Sequence, residues 1–427
     1  MRTAGIIAEF NPLHRGHEYA IKKTRELTRA DYVIIIMSGD FVQRGGPAVC
    51  DKYLRTEMAL SAGADAVFEL PVRYSSASAQ CFAEGGCSLL YSTGITDYLC
   101  FGSESGDTNL FKKSAEFLAN AEKNPDYHKR ISTLLKTGMS YPAARFKTVS
   151  ETDIDCASLM SDSNNILGLE YCLALTKLGS EAPVPITFKR TGEGYHSENL
   201  DTFEFASATA IRRLLTDSSA DVSKLPVHHL PDNIAKMITD GFGRCLPITE
   251  DDFSQALFSK ISSSAPEELR QIPGINPDLL NSIIKKSTEP FLISELCAKI
   301  KSKAFTYTAV SRALFSILLS TPANDFQSRS SLDSASVADV QNPVPSLHIQ
   351  PPEYLRLLGF RKDASELLSS IKKHASVPVI TKLADADFSS KMLAEDIHSA
   401  NLYEQAVLSR FGRDAFRDEF RTGVIIR

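Results

Sequence analysis

The stretch that decides the fold reads Gly5-Ile6-Ile7-Ala8-Glu9-Phe10-Asn11-Pro12-Leu13-His14-Arg15-Gly16-His17. A short apolar run ends in an Asn-Pro turn, and two histidines follow with a glycine between them. This order predicts a buried strand, a tight loop and a helix that begins near His17. The start of such a helix presents free backbone N–H groups and the positive end of the helix dipole. The two imidazoles are therefore candidates to hold a phosphate group during its transfer.

Two other interpretations of the histidine pair are a chance occurrence and a metal site. Histidines three residues apart occur by chance, and histidine pairs at this spacing can bind metal ions. The sequence shows no further metal-binding motif around them, so we expect no metal site. The place of the pair after the first strand favours the phosphate site, since Gly16 allows a close approach of the backbone.

Strand and helix patterns alternate through the first quarter of the chain. Repeated strand–helix units imply a doubly wound parallel sheet of the Rossmann-like kind, in an α/β protein. Ligands of such sheets bind beyond the carboxyl ends of the strands, where the strand order reverses. Three loops fall at that edge, namely Asn11–His17, Ser38–Arg44 and Gly102–Gly106. The predicted strands are Gly5–Ala8, Tyr32–Met37, Ala66–Leu70, Thr96–Phe101 and Val184–Lys189.

The second half of the chain has a different pattern. Beyond about residue 216, helical patterns dominate and strand patterns nearly vanish. We therefore predict a nucleotide-binding catalytic domain over residues 1–215 and a mainly α-helical domain over residues 216–427. Residues 323–346 are rich in Ser, Asp and Asn without periodicity, which predicts a mobile insert. Val377–Lys382 is either a short strand or a buried connector.

Composition excludes several classes of protein. The formal net charge is −5, which argues against a chain that is basic everywhere but allows a local basic face for nucleic acid. No apolar run approaches the ~20 residues of a membrane span, and the N-terminus lacks the pattern of a signal peptide, so a cytoplasmic location without a membrane is expected. The eight cysteines form no C-x-x-C motif, which argues against a zinc site or a redox pair.

A second candidate phosphate site lies at Ser207–Arg212. Ser207 and Thr209 stand where a helix is predicted to begin, and Arg212 follows one turn later. Hydroxyls, free N–H groups and a guanidinium could converge there on a polyphosphate. The alternative is an ordinary N-cap followed by a surface arginine.

Polar loops supply the remaining candidates. In the loop Ser38–Ala48, Asp40 and Arg44 could position a second substrate, and Arg44 could hold a carboxylate; the alternative is a solvated turn. Gly102 ends the fourth strand, where an adenine or ribose could approach a residue without a side chain. Asn164 or Asn165 could cap a helix or contact the nucleotide, and Arg190 could reach a phosphate or the base.

Taken together, these motifs carry a resemblance. The H-x-G-H motif and the Ser/Thr-rich helix start followed by Ile211-Arg212 resemble the nucleotidylyl-transferase superfamily. More specifically, the chain resembles the bacterial tRNA(Met) cytidine acetate ligases, and the Ser-Gly-x-Phe-x-Gln-Arg-Gly block is more specific than H-x-G-H. The matching blocks are Gly5–Tyr19, Met37–Lys52 with Arg55, Gly63–Pro71, Cys100–Glu104, Asn164–Tyr171, Lys189–His196, Ser207–Arg212, Tyr354–Phe360 and Ser376–Lys382.

The resemblance implies a reaction and a set of site residues. It implies a sheet of the nucleotidylyl-transferase type that uses ATP, with Mg²⁺ to neutralise the polyphosphate. Acetate would be activated as acetyl-adenylate and transferred to N4 of the wobble cytidine, position 34, of elongator tRNA(Met). His14, His17, Asp40 and Arg44 would serve catalysis. The implied nucleotide contacts are Ile7, Ala8, Glu9, Phe10, Asn11, Pro12, His14, Gly16, His17, Gly102, Asn165, Arg190, Ser207, Thr209 and Arg212.

Departures from the family pattern concern the RNA surface. Family members often carry more basic residues around Thr306–Arg312, and the insert at 323–346 is longer than usual. Basic clusters that could contact tRNA, or could equally be solvated helix faces, are Lys112-Lys113, Lys285-Lys286, Lys299–Lys303 and Lys372-Lys373-His374.

Two other functions are considered. A nucleotidyltransferase that moves AMP to a small phosphorylated metabolite would account for the N-terminal half but would leave the helical half without a role. A non-catalytic RNA-binding protein with a relic nucleotide site is disfavoured, because His14, His17 and Arg212 are all present.

Overall fold

A central β-sheet carries the candidate site. The computed structural model describes residues 1–190, 207–217, 229–272, 275–320 and 351–427. The predicted insert near 323–346, most of the loop 190–196 and several connecting residues lie outside this range. The strands are β1 Thr3–Ala8, β2 Tyr32–Ser38, β3 Phe41–Val42, β4 Gly46–Pro47, β5 Ala66–Leu70, β6 Tyr98–Ser103, β7 Val184–Lys189, β8 Leu355–Phe360, β9 Val379–Ile380 and β10 Ile425–Ile426.

Helices surround the sheet and form a separate layer in the middle of the chain. None of the described helices combines the length and the apolar run that a bilayer span requires. The helices are α1 Arg15–Thr28, α2 Lys52–Ser61, α3 Val72–Ser75, α4 Ala79–Ser92, α5 Thr108–Ala121, α6 Pro125–Leu135, α7 Tyr141–Ser150, α8 Ile154–Ser158, α9 Ser163–Leu178, α10 Ala208–Thr216, α11 Asp232–Gly241, α12 Ser254–Ser263, α13 Pro266–Arg270, α14 Pro277–Lys286, α15 Ile293–Ile300, α16 Tyr307–Leu319, α17 Ser365–His374 and α18 Lys391–Phe411.

The strand order confirms the predicted fold. The sheet runs β10-β8-β5-β2-β1-β6-β7, and β9 pairs with β8. The five strands β5, β2, β1, β6 and β7 are parallel, and the order reverses between β1 and β6. The carboxyl ends of β1 and β6 therefore form the crevice in which ligands of doubly wound sheets bind.

Side chains along β1 point alternately to the two faces of the sheet, and each face carries its own apolar core. Ile6 belongs to the core formed with α1 and α2, whereas Ile7 belongs to the core formed with α4 and α9. Close packing also explains Gly5, because a Cβ there would lie 2.4 Å from Leu90 Cδ2. The position of the first strand is thus fixed from both sides, and the loop after it starts from a rigid base.

The described residues of the C-terminal part are mainly helical, but they also include the short strands β8, β9 and β10. Strand β8 pairs antiparallel with β5 and extends the catalytic sheet across the predicted boundary at residue 215. Strand β9 shows that Val377–Lys382 contains a short strand, which was one of its two interpretations. Strand β8 was not predicted from the sequence, because Arg356 and Gly359 interrupt its apolar pattern and the strand has only six residues.

The helical layer α11–α16 supports the loop that follows β2. In this loop, β3 and β4 form a small antiparallel hairpin. The ring of Phe41 packs against Phe253, Phe315 and Tyr403, at centroid distances of 5.4, 5.7 and 6.1 Å. Gly45 accepts a hydrogen bond from Ser311 Oγ at the turn of the hairpin. The loop is therefore anchored by packing, and the alternative interpretation of a solvated turn does not describe it.

A buried group of charges joins the C-terminal segment to the sheet. Lys52 Nζ lies 2.8 Å from Glu69 Oε1 and 3.1 Å from Glu419 Oε1, and all three side chains are at most 3% exposed. Arg356 of β8 contacts the same two carboxylates. Burial alone would raise the pKa of Glu419, but Lys52 and Arg356 lower it to about 2. The charges are thus mutually compensated, and each depends on its partners.

Removal of Lys52 tests this dependence. Lys52→Met should lower the free energy of unfolding by about 3–5 kcal/mol, because Glu69 and Glu419 would remain buried with Arg356 as the one remaining cation that they share. Lys177→Met is the control, since Lys177 and Glu122 form a partly exposed pair that is worth about 1 kcal/mol or less. Urea unfolding curves of the two variants give the comparison, and equal losses would contradict the account.

Candidate functional site

A cavity of about 620 Å³ opens at the carboxyl ends of β1 and β6, where the strand order reverses. The loop after β1, the hairpin after β2, the end of β7 and the start of α10 meet there. The cavity brings together most of the predicted residues, although they come from segments far apart in the chain. Those that line it are Ile7, Ala8, Glu9, Phe10, Asn11, His14, Gly16, His17, Arg44, Gly102, Arg190, Ser207, Thr209 and Arg212.

The two histidines cap the N-terminus of α1 reciprocally. The N–H of Gly16 donates to His14 Nδ1 at 3.1 Å, and the N–H of His14 donates to His17 Nδ1 at 3.4 Å. The rings are stacked, with centroids 3.8 Å apart. Because Nδ1 accepts a hydrogen bond in both rings, the proton of each neutral imidazole is on Nε2. Both rings therefore present an Nε2–H donor at the positive end of a helix dipole.

The site keeps both imidazoles neutral. Burial lowers the pKa of His14 to about 3, with further contributions from the charges of Arg190, Arg212 and His229. The pKa of His17 is likewise lowered well below its usual value, mainly by burial and further by the charges of His14, Arg190 and Arg212. At neutral pH the pair thus acts as two hydrogen-bond donors without a formal charge, while arginines supply the positive charge.

Gly16 is required by the ring of His14. A Cβ at position 16 would lie 2.9 Å from His14 Cε1 and 3.1 Å from its Nδ1. The glycine of the H-x-G-H motif therefore makes room for an imidazole that folds back over the backbone. The preceding Phe10 has a positive φ of 48°, which is a strained conformation for an aromatic residue, and its ring contacts His17 at 5.1 Å.

The second predicted phosphate site faces the first. Arg212 Nη1 donates to Asn11 O at 2.7 Å, and Arg212 Nη2 donates to Thr209 Oγ1 at 3.2 Å. Arg44 Nη1 also reaches Thr209 Oγ1, at 3.3 Å. Ser207 is the N-cap of α10, as the alternative interpretation expected, and accepts from the N–H of Ala210. The start of α10 is therefore both an ordinary N-cap and a wall of the cavity, and the two arginines meet at this wall.

Gly102 marks the opposite wall of the cavity. A Cβ there would lie 3.0 Å from Arg190 Cγ and 3.1 Å from Phe188 Cε2. Both neighbours also line the cavity, together with Tyr19 of α1. This wall combines an aromatic ring with a residue that has no side chain, and it can accept the flat face of a base.

Three predicted residues do not line the cavity. Asp40 is buried beneath the loop, where its Oδ1 accepts from the N–H of Lys52 at 2.8 Å. Burial raises the pKa of Asp40 to about 7, although Lys52 and Arg55 oppose this rise. Pro12 is buried in the turn, and Asn165 uses its Oδ1 to accept from the N–H of Ser105 at 3.0 Å. Asn164, rather than Asn165, lines the cavity.

Sequence reasoning missed several wall residues. Glu104 lines the cavity and accepts from Asn164 Nδ2 at 2.6 Å and from the N–H of Asn165 at 2.9 Å. Its place in the exit loop of β6 could have revealed it. Phe82, Tyr171 and Phe188 gave no signal, because an aromatic residue in an amphipathic element predicts core packing in the first instance.

Acidic groups for a metal ion are scarce in this site. Among the described residues, no group of three or more histidines, cysteines or carboxylates is arranged to hold a metal ion. The donor set around the cavity instead consists of imidazoles, guanidiniums, hydroxyls and helix N-termini, which suit an anion.

The fold and the site define a nucleotidyl transferase of the H-x-G-H type. In agreement, the family model described as HIGH Nucleotidyl Transferase matches residues 1–415. The tRNA(Met) cytidine acetate ligase of Acetivibrio thermocellus is 36% identical over 391 residues, covering 90% of this chain and 89% of the relative. The protein of the same name from Clostridium perfringens is 36% identical over 412 residues, covering 94% and 95%. The chain belongs to the tRNA(Met) cytidine acetate ligase family.

Solved structures agree with this assignment. The crystal structure of Thermotoga maritima TmcAL in its apo form I aligns with a TM-score of 0.85 at 27% identity, over 100% of this chain and 99% of the other. The same protein bound with alpha-thio ATP aligns with a TM-score of 0.82 at 28% identity, over 100% and 99%. The overall architecture of the described residues is therefore shared with these structures.

Substitution of Gly16 tests the reciprocal cap. In Gly16→Ala, the added methyl group should displace the His14 ring from its capping position and destabilise the protein by about 0.5–2 kcal/mol, the usual cost of losing an N-cap. Gly423→Ala is a suitable control, because a Cβ at that position meets no atom within 4 Å. Thermal unfolding measures both effects. An unchanged His14 ring in a crystal structure of Gly16→Ala would disprove the packing argument.

The low pKa of His14 predicts a pH-dependent stability. Between pH 6.5 and about 3, the unfolded chain binds a proton on this imidazole and the folded protein does not. Stability should therefore fall as the pH is lowered, by about 1.4 kcal/mol per pH unit for this group. We expect a smaller slope between pH 7 and pH 5 for His14→Asn than for the unaltered protein. Parallel slopes from denaturant titrations would indicate that His14 titrates normally.

Proposed function

We propose that this protein is an ATP-dependent ligase that activates acetate as acetyl-adenylate and acetylates N4 of the wobble cytidine, position 34, of elongator tRNA(Met). The relatives of the same family carry the ligase activity in their names. The observation that carries the proposal at the atomic level is the pair of neutral imidazoles, whose Nδ1 atoms are engaged by the helix cap and whose Nε2–H groups remain as donors.

The first step is the activation of acetate, which does not react with an amine by itself. A carboxylate oxygen of acetate attacks the α-phosphorus of ATP, and pyrophosphate leaves. His14 and His17 donate to the α-phosphate as charge develops on its oxygens, and donors of this kind are worth about 3–4 kcal/mol in a transition state. Arg212, Arg44 and the N-terminus of α10 oppose the charge of the polyphosphate. Gly102 leaves space for the adenosine.

Magnesium would enter this site with the nucleotide. Mg²⁺ keeps several water ligands and is commonly held through substrate phosphates with one or two carboxylates. Since the described residues contain no cluster of acidic ligands, the phosphate oxygens and water would provide most of the coordination. A bound Mg²⁺ would supply further positive charge for the leaving pyrophosphate, in addition to the arginines.

The second step requires an unstacked base and a protein surface that binds the RNA. Anticodon loops offer bases that can be turned outward into a protein pocket. Two of the predicted basic clusters are neighbours, because Lys286 Nζ donates to Lys299 O at 2.6 Å in an exposed contact. Together, α14 and the end of α15 present a basic surface on the helical layer. We propose that it contacts the tRNA backbone, which would make binding weaker at high salt.

One incubation tests the proposed reaction. The protein is mixed with ATP, isotope-labelled acetate and elongator tRNA(Met), and the nucleosides are analysed by mass spectrometry. Labelled N4-acetylcytidine supports the ligase. Labelled RNA should appear only when ATP is present. Failure to label any tRNA, combined with transfer of AMP to a phosphorylated metabolite, would instead support the other nucleotidyltransferase activity.

The role of the imidazoles can be measured in the same assay. His17→Asn should lower the rate of acetate-dependent pyrophosphate release by about 10²–10³, because one donor to the α-phosphate is lost. His128→Asn, which removes an imidazole of α6 that does not line the cavity, should leave the rate unchanged. A His17→Asn variant of normal activity would show that the phosphate is held elsewhere.

A further inference from the structure

Two carboxylates, Glu9 and Glu104, line a cavity whose other charged groups are cationic. A carboxylate repels both the polyphosphate and the acetate of the proposed reaction, so its presence calls for a chemical reason. Glu104 has one, since both of its oxygens accept hydrogen bonds from Asn164 and Asn165 and hold the loop to α9. Glu9 is used differently.

Only one oxygen of Glu9 is engaged by the described part of the chain. Glu9 Oε1 accepts from the N–H of Gln43 at 3.0 Å, and no described residue donates to Oε2. The backbone of Glu9 is fixed as well, because its carbonyl accepts from Arg55 Nη1 at 2.8 Å and Arg55 is fully buried. The backbone of Glu9 and one of its carboxylate oxygens are therefore held in place, and the residue lines the cavity.

Glu9 lies toward the apolar side of the cavity. Alternation along β1 and its extension places Glu9 on the side of Ile7, toward the core formed with α4 and α9. The side chains of Phe82 and Tyr171 belong to that core and also line the cavity. The histidines cap α1 on the other face. Burial raises the pKa of Tyr171, and the charges of Cys87 and Glu9 add to this rise, as expected for close neighbours.

We propose that Glu9 accepts the proton of the attacking amine in the second step. This inference rests on the proposed function. The N4 lone pair of cytidine attacks the carbonyl carbon of acetyl-adenylate, and the bond between that carbon and the phosphate oxygen breaks. AMP leaves with the bonding electrons, and one N4 proton passes to Oε2 of Glu9 and then to water. The apolar wall formed by Phe82 and Tyr171 receives the base next to this carboxylate.

Glu9→Gln separates this role from a structural one. The amide oxygen can still accept from Gln43, so the loop should keep its conformation. We expect acetyl transfer from synthetic acetyl-adenylate to tRNA to fall by about 10²–10⁴, the usual contribution of a general base. Acetate-dependent ATP–pyrophosphate exchange should fall by a much smaller factor, since Glu9 also lines the nucleotide cavity. Loss of exchange and transfer in equal measure, or unchanged transfer, would overturn the proposal.

Two comparisons keep the outcome interpretable. Glu104→Gln removes the other cavity carboxylate and should change both half-reactions by a similar factor, because Glu104 acts through the loop. His17→Asn should lose exchange, in contrast to Glu9→Gln. If the unaltered protein shows neither exchange nor transfer, the proposed function fails before Glu9 is tested. If both reactions occur and Glu9→Gln transfers normally, only the assignment of Glu9 fails.

Discussion

The reciprocal cap between His14 and His17 is the interaction on which the site depends. Each ring satisfies a backbone N–H at the start of α1 through its Nδ1, and this engagement fixes the proton on Nε2. One set of hydrogen bonds thus starts the helix, orients two rings and selects their tautomer. Burial then keeps the rings neutral, and the protein gains two aligned donors without an additional buried charge.

The parts of the chain outside the Rossmann-like core hold this arrangement in place. Arg55 donates to backbone carbonyls of Glu9, Ser38 and Gly39, so it joins the loops after β1 and β2. The helical layer fixes the hairpin after β2 through Phe41. The C-terminal strand β8 completes the sheet and shares the buried charges of Lys52. Distant segments therefore set the shape of the cavity, although most do not enter it.

Local patterns predicted most of the fold and much of the site. Strands Ala66–Leu70 and Val184–Lys189 have the expected bounds, since periodicity and turn residues act within a few positions. The role of Asp40 was not predictable, because its burial depends on Lys52 and Arg55 from the next helix. The same limit applies to Asn164 and Asn165, which differ only by their angle around α9. Strand β8 was missed because its pairing with β5 joins residues far apart in the chain.

The sequence by itself determined the five parallel strands approximately, and it placed a candidate phosphate-binding motif at the start of the first helix. Those features depend on neighbours within one or two turns, which a single sequence displays directly. The tertiary structure alone decided that Arg212 meets Asn11, that the oxygens of Glu104 are engaged and that one oxygen of Glu9 accepts a hydrogen bond from Gln43. Such contacts arise from packing between distant segments. The free energy of this packing depends on shape and burial, which local sequence patterns do not predict.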